Sequence, residues 1–373
     1  MTDLGNILIR GVNWLGDALM SVPALERLRE AHPHACITML TPEKLADFWR
    51  LLPVADRVIP IVPGASPRAV SRDIRPLNVD AALILPNSPR AALECWLAKI
   101  PRRIGYAAKW RRLFLTQALP PRPGHTPMNK YSPAEIQQRL RKNTKLPEYP
   151  PKAHHIHHYL HLAAALEANP EPFPIFLHVH AARIHEFKGD FQIQKDIPLL
   201  ALVPGAEYGP AKRWPAEHFA FVAKALHKKH GAHALLLGGP GDQAITGEIF
   251  AQLPAGTCTD LAGKTTLGDL AAALAASRCV LANDSGPMHL AAAVQTPTIA
   301  LFGSTSPELT TPGIPTDRHI QILRQPPPCA PCFLRQCPID LRCLQAISPE
   351  EAIAALEPYL INSFPATPST PPD

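Results

Sequence analysis

The chain has 373 residues, 46% of them hydrophobic, with a formal net charge of +6 and a pI near 8.9. This length exceeds that of one typical domain, so we expect two domains with sizeable cores. The moderate positive charge favours anionic partners such as phosphates or an anionic membrane surface. No charge run, RNA-binding motif or zinc-finger spacing supports a nucleic-acid partner.

The first half alternates short apolar runs with helical patterns. The run Asn6–Arg10 predicts a strand, and a loop at 11–16 leads into a predicted helix that ends near His32. Pro23 lies inside that helical pattern and should kink the helix or mark its start. Further strands are predicted at 35–40, 57–61 and 81–85, with a helix at 42–52. The strand–helix–strand order is typical of a parallel sheet with right-handed crossovers.

The second half repeats this alternation. Strands are predicted at 199–203, 232–238, 279–282 and 298–302, and helices at 215–228, 242–252, 267–276 and 287–294. Ser348 and Glu351 have the spacing of a capping box that opens a last helix. We therefore expect two Rossmann-like, doubly wound α/β domains that face each other across a cleft at the carboxyl ends of their strands.

The domain limits follow from composition. The region 120–198 is rich in Pro, His and Lys and poorly periodic, so we place the boundary inside it. The expected division is an N-terminal domain at 1–180, a C-terminal domain at 181–347, a helix at 348–361 and a disordered tail at 362–373. No signal peptide is evident, because Asp3 and Asp17 flank the first apolar stretch, and no apolar run is long enough to span a bilayer.

The segment Ala282–His289 combines a strand end, a polar turn and a helix start. Such a turn offers free N–H groups to an anion, Gly286 permits close approach, and His289 falls on the first helical turn. Asp284 and Ser285 could equally be ordinary helix caps. The earlier loop 13–17 ends in Asp17, which can accept a proton or merely cap the first helix.

The loop 204–215 places Lys212 and Arg213 beside a predicted helix start. A cation with free N–H groups suits a diphosphate leaving group, although a solvated basic pair would look the same. At 238–242, glycines precede Asp242, which could bind a ribose hydroxyl or cap a turn. Gly263-Lys264-Thr265 lacks the upstream glycine of a P-loop, which excludes that ATPase chemistry.

Five segments in this order resemble the ADP-heptose:lipopolysaccharide heptosyltransferases, glycosyltransferase family 9, and most closely the heptosyltransferase II group. The resemblance extends to about residue 360. It is carried by the segments 13–17, 204–215, 261–265, 283–289 and 329–332, of which 204–215 is the most specific.

The resemblance implies a GT-B fold and an inverting transfer of heptose from ADP-L-glycero-D-manno-heptose to heptosyl-Kdo-lipid A, with no metal and no cofactor. Asp17 corresponds to the catalytic base and Lys212 to the lysine that stabilises the donor phosphate. The donor-binding residues expected from the loops and the resemblance are Glu207, Tyr208, Arg213, Asp242, Asp284, Ser285, Gly286 and His289.

Acceptor contacts are expected in the N-terminal half, where cations alternate with aromatic residues. This suits an anionic glycolipid and peripheral contact with the cytoplasmic face of the inner membrane, although a soluble basic loop would also fit. The expected acceptor residues are Asn13, Asn87, Arg102, Arg103 and Lys109, and the segment also holds Tyr106, Trp110, Arg111 and Arg112.

The sequence also contains a cluster of cysteines and a cluster of histidines. Cys329, Cys332, Cys337 and Cys343 are either thiols of a folded loop or a metal or redox site. The histidines between His154 and His161 are expected on a surface helix without a ligand.

Other functions stay open. They are those of heptosyltransferases I and III, of a nucleotide-sugar epimerase of similar fold, and of a non-catalytic scaffold that binds a nucleotide sugar or zinc.

Overall fold

A computed structural model describes residues 4–194, 196–313 and 319–361. These residues divide into two compact units, one formed by 4–126 and 150–175, the other by 127–149 and the described residues from 176 on. The chain therefore crosses between the units three times, whereas its composition predicts a single boundary near residue 180. The tail expected at 362–373 lies outside the described residues.

The first unit is built on a parallel six-stranded sheet. Its strands are β1 (Asn6–Arg10), β2 (Cys36–Pro42), β3 (Arg57–Ile61), β4 (Ala81–Ile84), β5 (Arg102–Tyr106) and β6 (Gln117–Leu119). Their order across the sheet is β3-β2-β1-β4-β5-β6. Ile7, Leu8 and Ile9 are all fully buried, because helices cover both faces of the sheet and a central strand then reads as a continuous apolar run.

Helices of the first unit differ from the expected ones in two places. Helix α1 begins at Leu15 and continues through Pro23, so Pro23 does not mark its start. The helix expected at 42–52 is shorter and is divided into a 3-10 turn and α2. The α-helices are α1 (Leu15–Ala31), α2 (Ala46–Arg50), α3 (Pro67–Ile74), α4 (Pro89–Leu97) and α6 (Ile156–Ala164), and the 3-10 helices are Glu43–Leu45, Arg75–Leu77 and Lys109–Phe114.

The expectation of a surface helix for the histidine cluster is wrong, because α6 packs against α1 and His154 and His158 are buried. The rings of Tyr106 and His155 both stack on that of His158, with ring centroids 4.0 Å and 4.9 Å away. Apolar residues of α6, including Leu160 and Leu162, determine its position and bring the imidazoles inside with them.

The second unit repeats the architecture. Its strands are β7 (Leu199–Val203), β8 (His233–Leu236), β9 (Cys258–Asp260), β10 (Cys279–Asn283), β11 (Thr298–Phe302) and β12 (Ile320–Arg324). The order β12-β11-β10-β7-β8-β9 is the same winding as in the first unit, read from the opposite edge. Both are therefore Rossmann-type sheets, whose strand order reverses between β1 and β4 and between β7 and β10.

Helices of the second unit include the predicted capping box. Ser348 N–H donates to Glu351 Oε2 (2.9 Å), and Glu351 N–H donates to Ser348 Oγ (3.2 Å). The helices are α5 (Pro133–Arg141), α7 (Ala181–Asp190), α8 (Ala216–His230), α9 (Gln243–Gln252), α10 (Leu267–Ala276), α11 (Gly286–Ala293), α12 (Pro307–Thr310), α13 (Arg342–Gln345) and α14 (Pro349–Ile361), and the 3-10 helices are Pro210–Lys212 and Pro240–Asp242. Among the described helices, none has both the length and the apolar character needed to cross a bilayer.

The buried imidazoles predict an acid-sensitive first unit. Burial first, then Arg122 and His125, lower the pKa of His155 to about 4, and burial and His155 lower that of His158 to about 2. The unfolded chain, with histidine pKa values near 6.5, therefore binds more protons below that pH. Stability is complete above pH 6.5 and is lost as the pH falls, by about 2 kcal/mol for one such histidine at pH 5.

We expect His158→Phe to recover about 2 kcal/mol of the loss in unfolding free energy between pH 7 and pH 5, measured by urea denaturation. The exposed His185, in the second unit, provides the control substitution His185→Gln, which should leave the loss unchanged. If His158→Phe lost as much unfolding free energy as the parent chain between these two pH values, His158 would not be a source of the acid sensitivity.

Candidate active site

The side chain of Asn283 closes the long loop after β7. Asn283 is fully buried at the end of β10; its Nδ2 donates to the Pro204 carbonyl (2.7 Å) and its Oδ1 accepts from Trp214 N–H (3.1 Å). Pro204 and Trp214 are the two ends of this loop, and Trp214 is itself fully buried. The loop is thus held at the reversal point between β7 and β10, where open α/β sheets bind their ligands.

Lys212, from this loop, forms an ion pair with Asp284, the residue after β10. Lys212 Nζ lies 2.6 Å from Asp284 Oδ2, and Thr305 Oγ1 donates to the same oxygen at 2.5 Å. The two charged side chains are 14% and 5% exposed, so water screens the pair poorly. The ammonium is therefore fixed in position at the carboxyl end of the sheet.

The ring of Tyr208 lies among three cations. Lys212 Nζ is 5.2 Å, Arg335 Cζ 5.2 Å and Lys130 Nζ 5.9 Å from the ring centroid, all within cation–π range. The Tyr208 hydroxyl donates to the Phe333 carbonyl (2.6 Å), which fixes the ring. This concentration of positive charge suits an anionic ligand.

Helix α11 begins directly beside the ion pair. Ser285 is its N-cap residue, yet the Ser285 hydroxyl makes no cap hydrogen bond, and its buried oxygen has no hydrogen-bond partner among the described residues. The first N–H groups of a helix lack intrahelical partners, and Pro287 removes only its own. Gly286 opens the helix, and His289 lies on its first turn and is buried. The helix start therefore has donors available for an anion.

Asp242 and Arg213 lie at the neighbouring strand end. Asp242 Oδ2 accepts from Gly239 N–H (3.0 Å), and Arg213 Nη2 lies 3.6 Å from Asp242 Oδ1. A side chain at Gly205 would collide with the Asp242 carboxylate, so glycine is needed there. Asp242 thus caps this turn next to the loop that holds Lys212, and its expected contact with a ribose hydroxyl stays a prediction. Glu207, on the same loop, is exposed.

In the first unit, Asp17 lies in the first turn of α1 and is hydrogen-bonded to Tyr159 of α6. Burial first, then the charge of Asp17 and this hydrogen bond, raise the pKa of Tyr159 well above its usual range. The hydroxyl therefore stays protonated and donates to the half-buried carboxylate. The N-cap residue of α1 is Trp14, with no side-chain cap bond.

Asn13 and Asn87 are both exposed, at the ends of β1 and β4. Arg111 is fully buried behind Asn87; its Nη1 donates to Asn87 Oδ1 (2.7 Å) and its Nη2 to the Ile84 carbonyl (3.0 Å). Burial lowers the pKa of Arg111 to about 10. A Cβ at Gly105 would collide with this guanidinium, so glycine leaves its space.

Arg102 and Arg103 lie on β5, so the alternative of a basic loop does not hold for these two residues. Both are half-buried, and Arg103 donates to the carbonyls of Ile100 and Phe114. Tyr106, at the end of the strand, is buried. The side chain of Lys109 lies outside the described part of the structure.

The cysteines near the C-terminus line one small cavity of the second unit and are free thiols. Cys329 and Cys332 pack with Ile136 of α5. Across the described residues, no group of three or more His, Cys, Asp or Glu side chains has a metal-holding arrangement. Burial, with smaller contributions from the other thiols, raises the pKa of Cys343 to about 12.

Four residues that position these side chains had no role predicted from the sequence: Asn283, Thr305, Tyr159 and Arg111. Asn283 belongs to the segment 283–289, and an amide side chain at a strand end is a signal for hydrogen bonds to a neighbouring loop. Tyr159 gave no local signal, because its contact with Asp17 joins two distant parts of the chain. Arg111 was grouped with the surface cations, because composition alone does not distinguish a buried guanidinium from an exposed one.

A family model and curated relatives both match most of this chain. The model of glycosyltransferase family 9 (heptosyltransferase) matches residues 68–342. Lipopolysaccharide heptosyltransferase 2 of Salmonella typhimurium is 30% identical over 82% of this chain and 85% of its own, and lipooligosaccharide heptosyltransferase 2 of Haemophilus influenzae is 32% identical over 82% and 86%.

A solved structure supports the same relationship. The E. coli ADP-heptose lipopolysaccharide heptosyltransferase II structure superposes with a TM-score of 0.76 at 26% identity, covering 95% of this chain and 98% of that one. The two Rossmann-type units are thus those of a GT-B glycosyltransferase, as the sequence predicted. With its family model matched over more than half of its length, the chain belongs to glycosyltransferase family 9, the heptosyltransferase family.

Proposed function

We propose that this enzyme transfers heptose from ADP-L-glycero-D-manno-heptose to heptosyl-Kdo-lipid A, with inversion at the anomeric carbon. One observation carries the proposal: in a family 9 chain, the Lys212–Asp284 pair lies beside the start of α11, at the reversal point of the sheet. The named relatives of heptosyltransferase type 2, similar over four-fifths of the chain, support this acceptor over those of types I and III.

The second unit would bind the donor. Lys212 has three ammonium protons and can hold Asp284 and a phosphate oxygen together. The N–H groups at Ser285 and Gly286, with the helix dipole, would stabilise the charge that develops on ADP as the glycosidic bond breaks. Glu207, Tyr208, Arg213, Asp242 and His289 complete the proposed donor contacts.

The first unit would activate the acceptor. Asp17 takes the proton of the acceptor hydroxyl while that oxygen bonds to the anomeric carbon and ADP leaves from the opposite face. The Tyr159 hydroxyl, which donates to Asp17, would hold the carboxylate in one orientation. The proposed acceptor contacts are Asn13, Asn87, Arg102, Arg103 and Lys109.

The acceptor also implies a location. Because lipid A is held in a membrane, we propose that the enzyme acts in the cytoplasm, in peripheral contact with the inner-membrane surface. The formal charge of +6 supports contact with an anionic surface. Nucleic acid is not among the proposed partners.

Product analysis tests the proposal directly. The enzyme is incubated with ADP-heptose alone, and then with Kdo-lipid A carrying no heptose, one heptose or two heptoses. Transfer to the singly heptosylated acceptor only is expected. A free sugar or an epimer formed without acceptor would instead indicate an epimerase, and transfer to another member of the series would indicate type I or III.

For the base, we expect Asp17→Asn to lower kcat by about 10²-fold or more, since the substitution removes the proton acceptor and keeps the shape. Binding of ADP, measured by calorimetry, should be unchanged. Asp47→Asn, which alters an exposed ion pair of the same unit, is the matched control. Near-wild-type turnover in Asp17→Asn would reject Asp17 as the base.

For the residue behind the base, we expect Tyr159→Phe to lower kcat by about tenfold, with an unfolding free energy within about 1 kcal/mol of wild type. Tyr106→Phe removes a comparable buried hydroxyl bond, to the His158 carbonyl, and should leave kcat unchanged. Single-turnover rates measure the chemical step. Equal effects of the two substitutions would mean that Tyr159 only stabilises the fold.

For the cation, we expect Lys212→Ala to lower the single-turnover rate by more than it weakens ADP-heptose binding, because charge on the leaving group is greatest in the transition state. Lys212→Arg should restore only part of the rate, since a planar guanidinium cannot take the position of the ammonium. Lys224→Ala, which removes an exposed lysine of α8 in this unit, is the control. Equal losses in affinity and rate would exclude selective stabilisation of the leaving group.

A further inference from the structure

The 3-10 helix Lys109–Phe114 presents large apolar side chains to solvent. Trp110 is 77% and Leu113 70% exposed, and residues three apart lie on the same side of a 3-10 helix. Phe114 packs its ring 5.7 Å from that of Trp96, which is itself 46% exposed on α4. We call the surface formed by Trp96, Trp110, Arg112 and Leu113 the Trp110 surface.

Arg111 holds this helix from the inside. Its guanidinium is buried beneath the helix and bonded to Asn87 and to the Ile84 carbonyl at the end of β4. The outward direction of Trp110 and Leu113 is therefore fixed by an anchored neighbour. Exposed apolar side chains on a fixed segment of this kind mark an interaction surface.

The segment that carries this surface has cationic side chains and no acidic ones. From Cys95 to Thr126 the sequence contains no Asp or Glu, while it contains seven Lys and Arg residues: Lys99, Arg102, Arg103, Lys109, Arg111, Arg112 and Arg122. Lys99 and Arg112 are exposed beside the aromatic residues, and Arg75 reaches the carbonyl of Leu97, next to Trp96. An apolar surface bordered by cations is complementary to anionic lipid headgroups above an acyl layer.

We propose that the Trp110 surface docks on an anionic lipid bilayer, with Trp110 and Leu113 inserted at the interface and the cations on the headgroups. Tryptophan prefers this interface, because its ring is apolar and its N–H is polar. A second copy of the chain fits less well, since a two-fold contact would place like charges opposite each other. The proposal rests on the proposed function only for the claim that this bilayer carries the acceptor.

The Trp110 surface is connected to a proposed acceptor contact, Asn87, by the side chain of Arg111. Asn87 Oδ1 is occupied by Arg111, so the amide group of Asn87 has its Nδ2 left to donate to a ligand. Arg111 lies between Trp110 and Arg112 in the chain. The membrane surface and a proposed acceptor contact are thus connected by a single buried guanidinium.

Vesicle flotation tests the docking without any assay of transfer. The full chain is mixed with vesicles of phosphatidylethanolamine and phosphatidylglycerol, and separately with vesicles of phosphatidylcholine. We expect binding to the anionic vesicles that weakens as salt is added. The double variant W110S/L113S should bind at least roughly tenfold more weakly.

The matched control is the double variant F221S/F250S, which removes two apolar side chains of the second unit that are 49% and 48% exposed. It should float like the wild type. Equal binding of both vesicle types by the wild type, or wild-type binding by W110S/L113S, would overturn the proposal. A wild-type dimer that W110S/L113S converts to a monomer, without vesicle binding, would assign the surface to self-association.

Activity then separates this proposal from the proposed function. With a deacylated, soluble acceptor, W110S/L113S should keep wild-type kcat and KM, whereas its rate on acceptor in vesicles should fall. Vesicle binding without any heptosyl transfer by the wild type would uphold the docking surface and reject the proposed function. Loss of activity on the soluble acceptor in W110S/L113S would instead place these residues in the acceptor site.

Discussion

Two hydrogen bonds of one buried amide hold together the candidate active site of the second unit. Asn283 joins Pro204 to Trp214, and the loop between them holds Lys212 against Asp284. The amide is fully buried, so loss of either bond would leave a buried polar group with no hydrogen-bond partner, neither protein nor water. The sheet places Asn283 at the strand end; the amide then determines where the cation lies.

The buried ion pair has a second consequence for chemistry. Separating Lys212 from Asp284 would leave two poorly hydrated charges, so the ammonium is held in one position. In the proposed reaction, preorganised charge of this kind would stabilise the leaving group without reorganisation. In the first unit, Tyr159 orients a carboxylate in the same manner, with one hydrogen bond from a buried donor.

The sequence predicted what depends on local pattern. The central strands β1, β7 and β11 were expected with their observed limits, because buried strands read as uninterrupted apolar runs. The GT-B architecture followed from that alternation and from the family resemblance. Strand β5 was missed because arginines begin it, and α6 was placed on the surface because its histidines are polar. Contacts between distant segments, such as that of Tyr159, have no local pattern from which to be predicted.

The route of the chain also affects how the enzyme is made. Helix α6 and the residues around it belong to the first unit, but they follow a segment of the second unit, 127–149, in the chain. During synthesis the first unit stays incomplete until this late segment leaves the ribosome, since α1 packs on α6 and His32 bonds to the Leu166 carbonyl. Such contacts between distant residues slow folding. The nascent first unit would thus expose the apolar face of α1 until α6 has been synthesised.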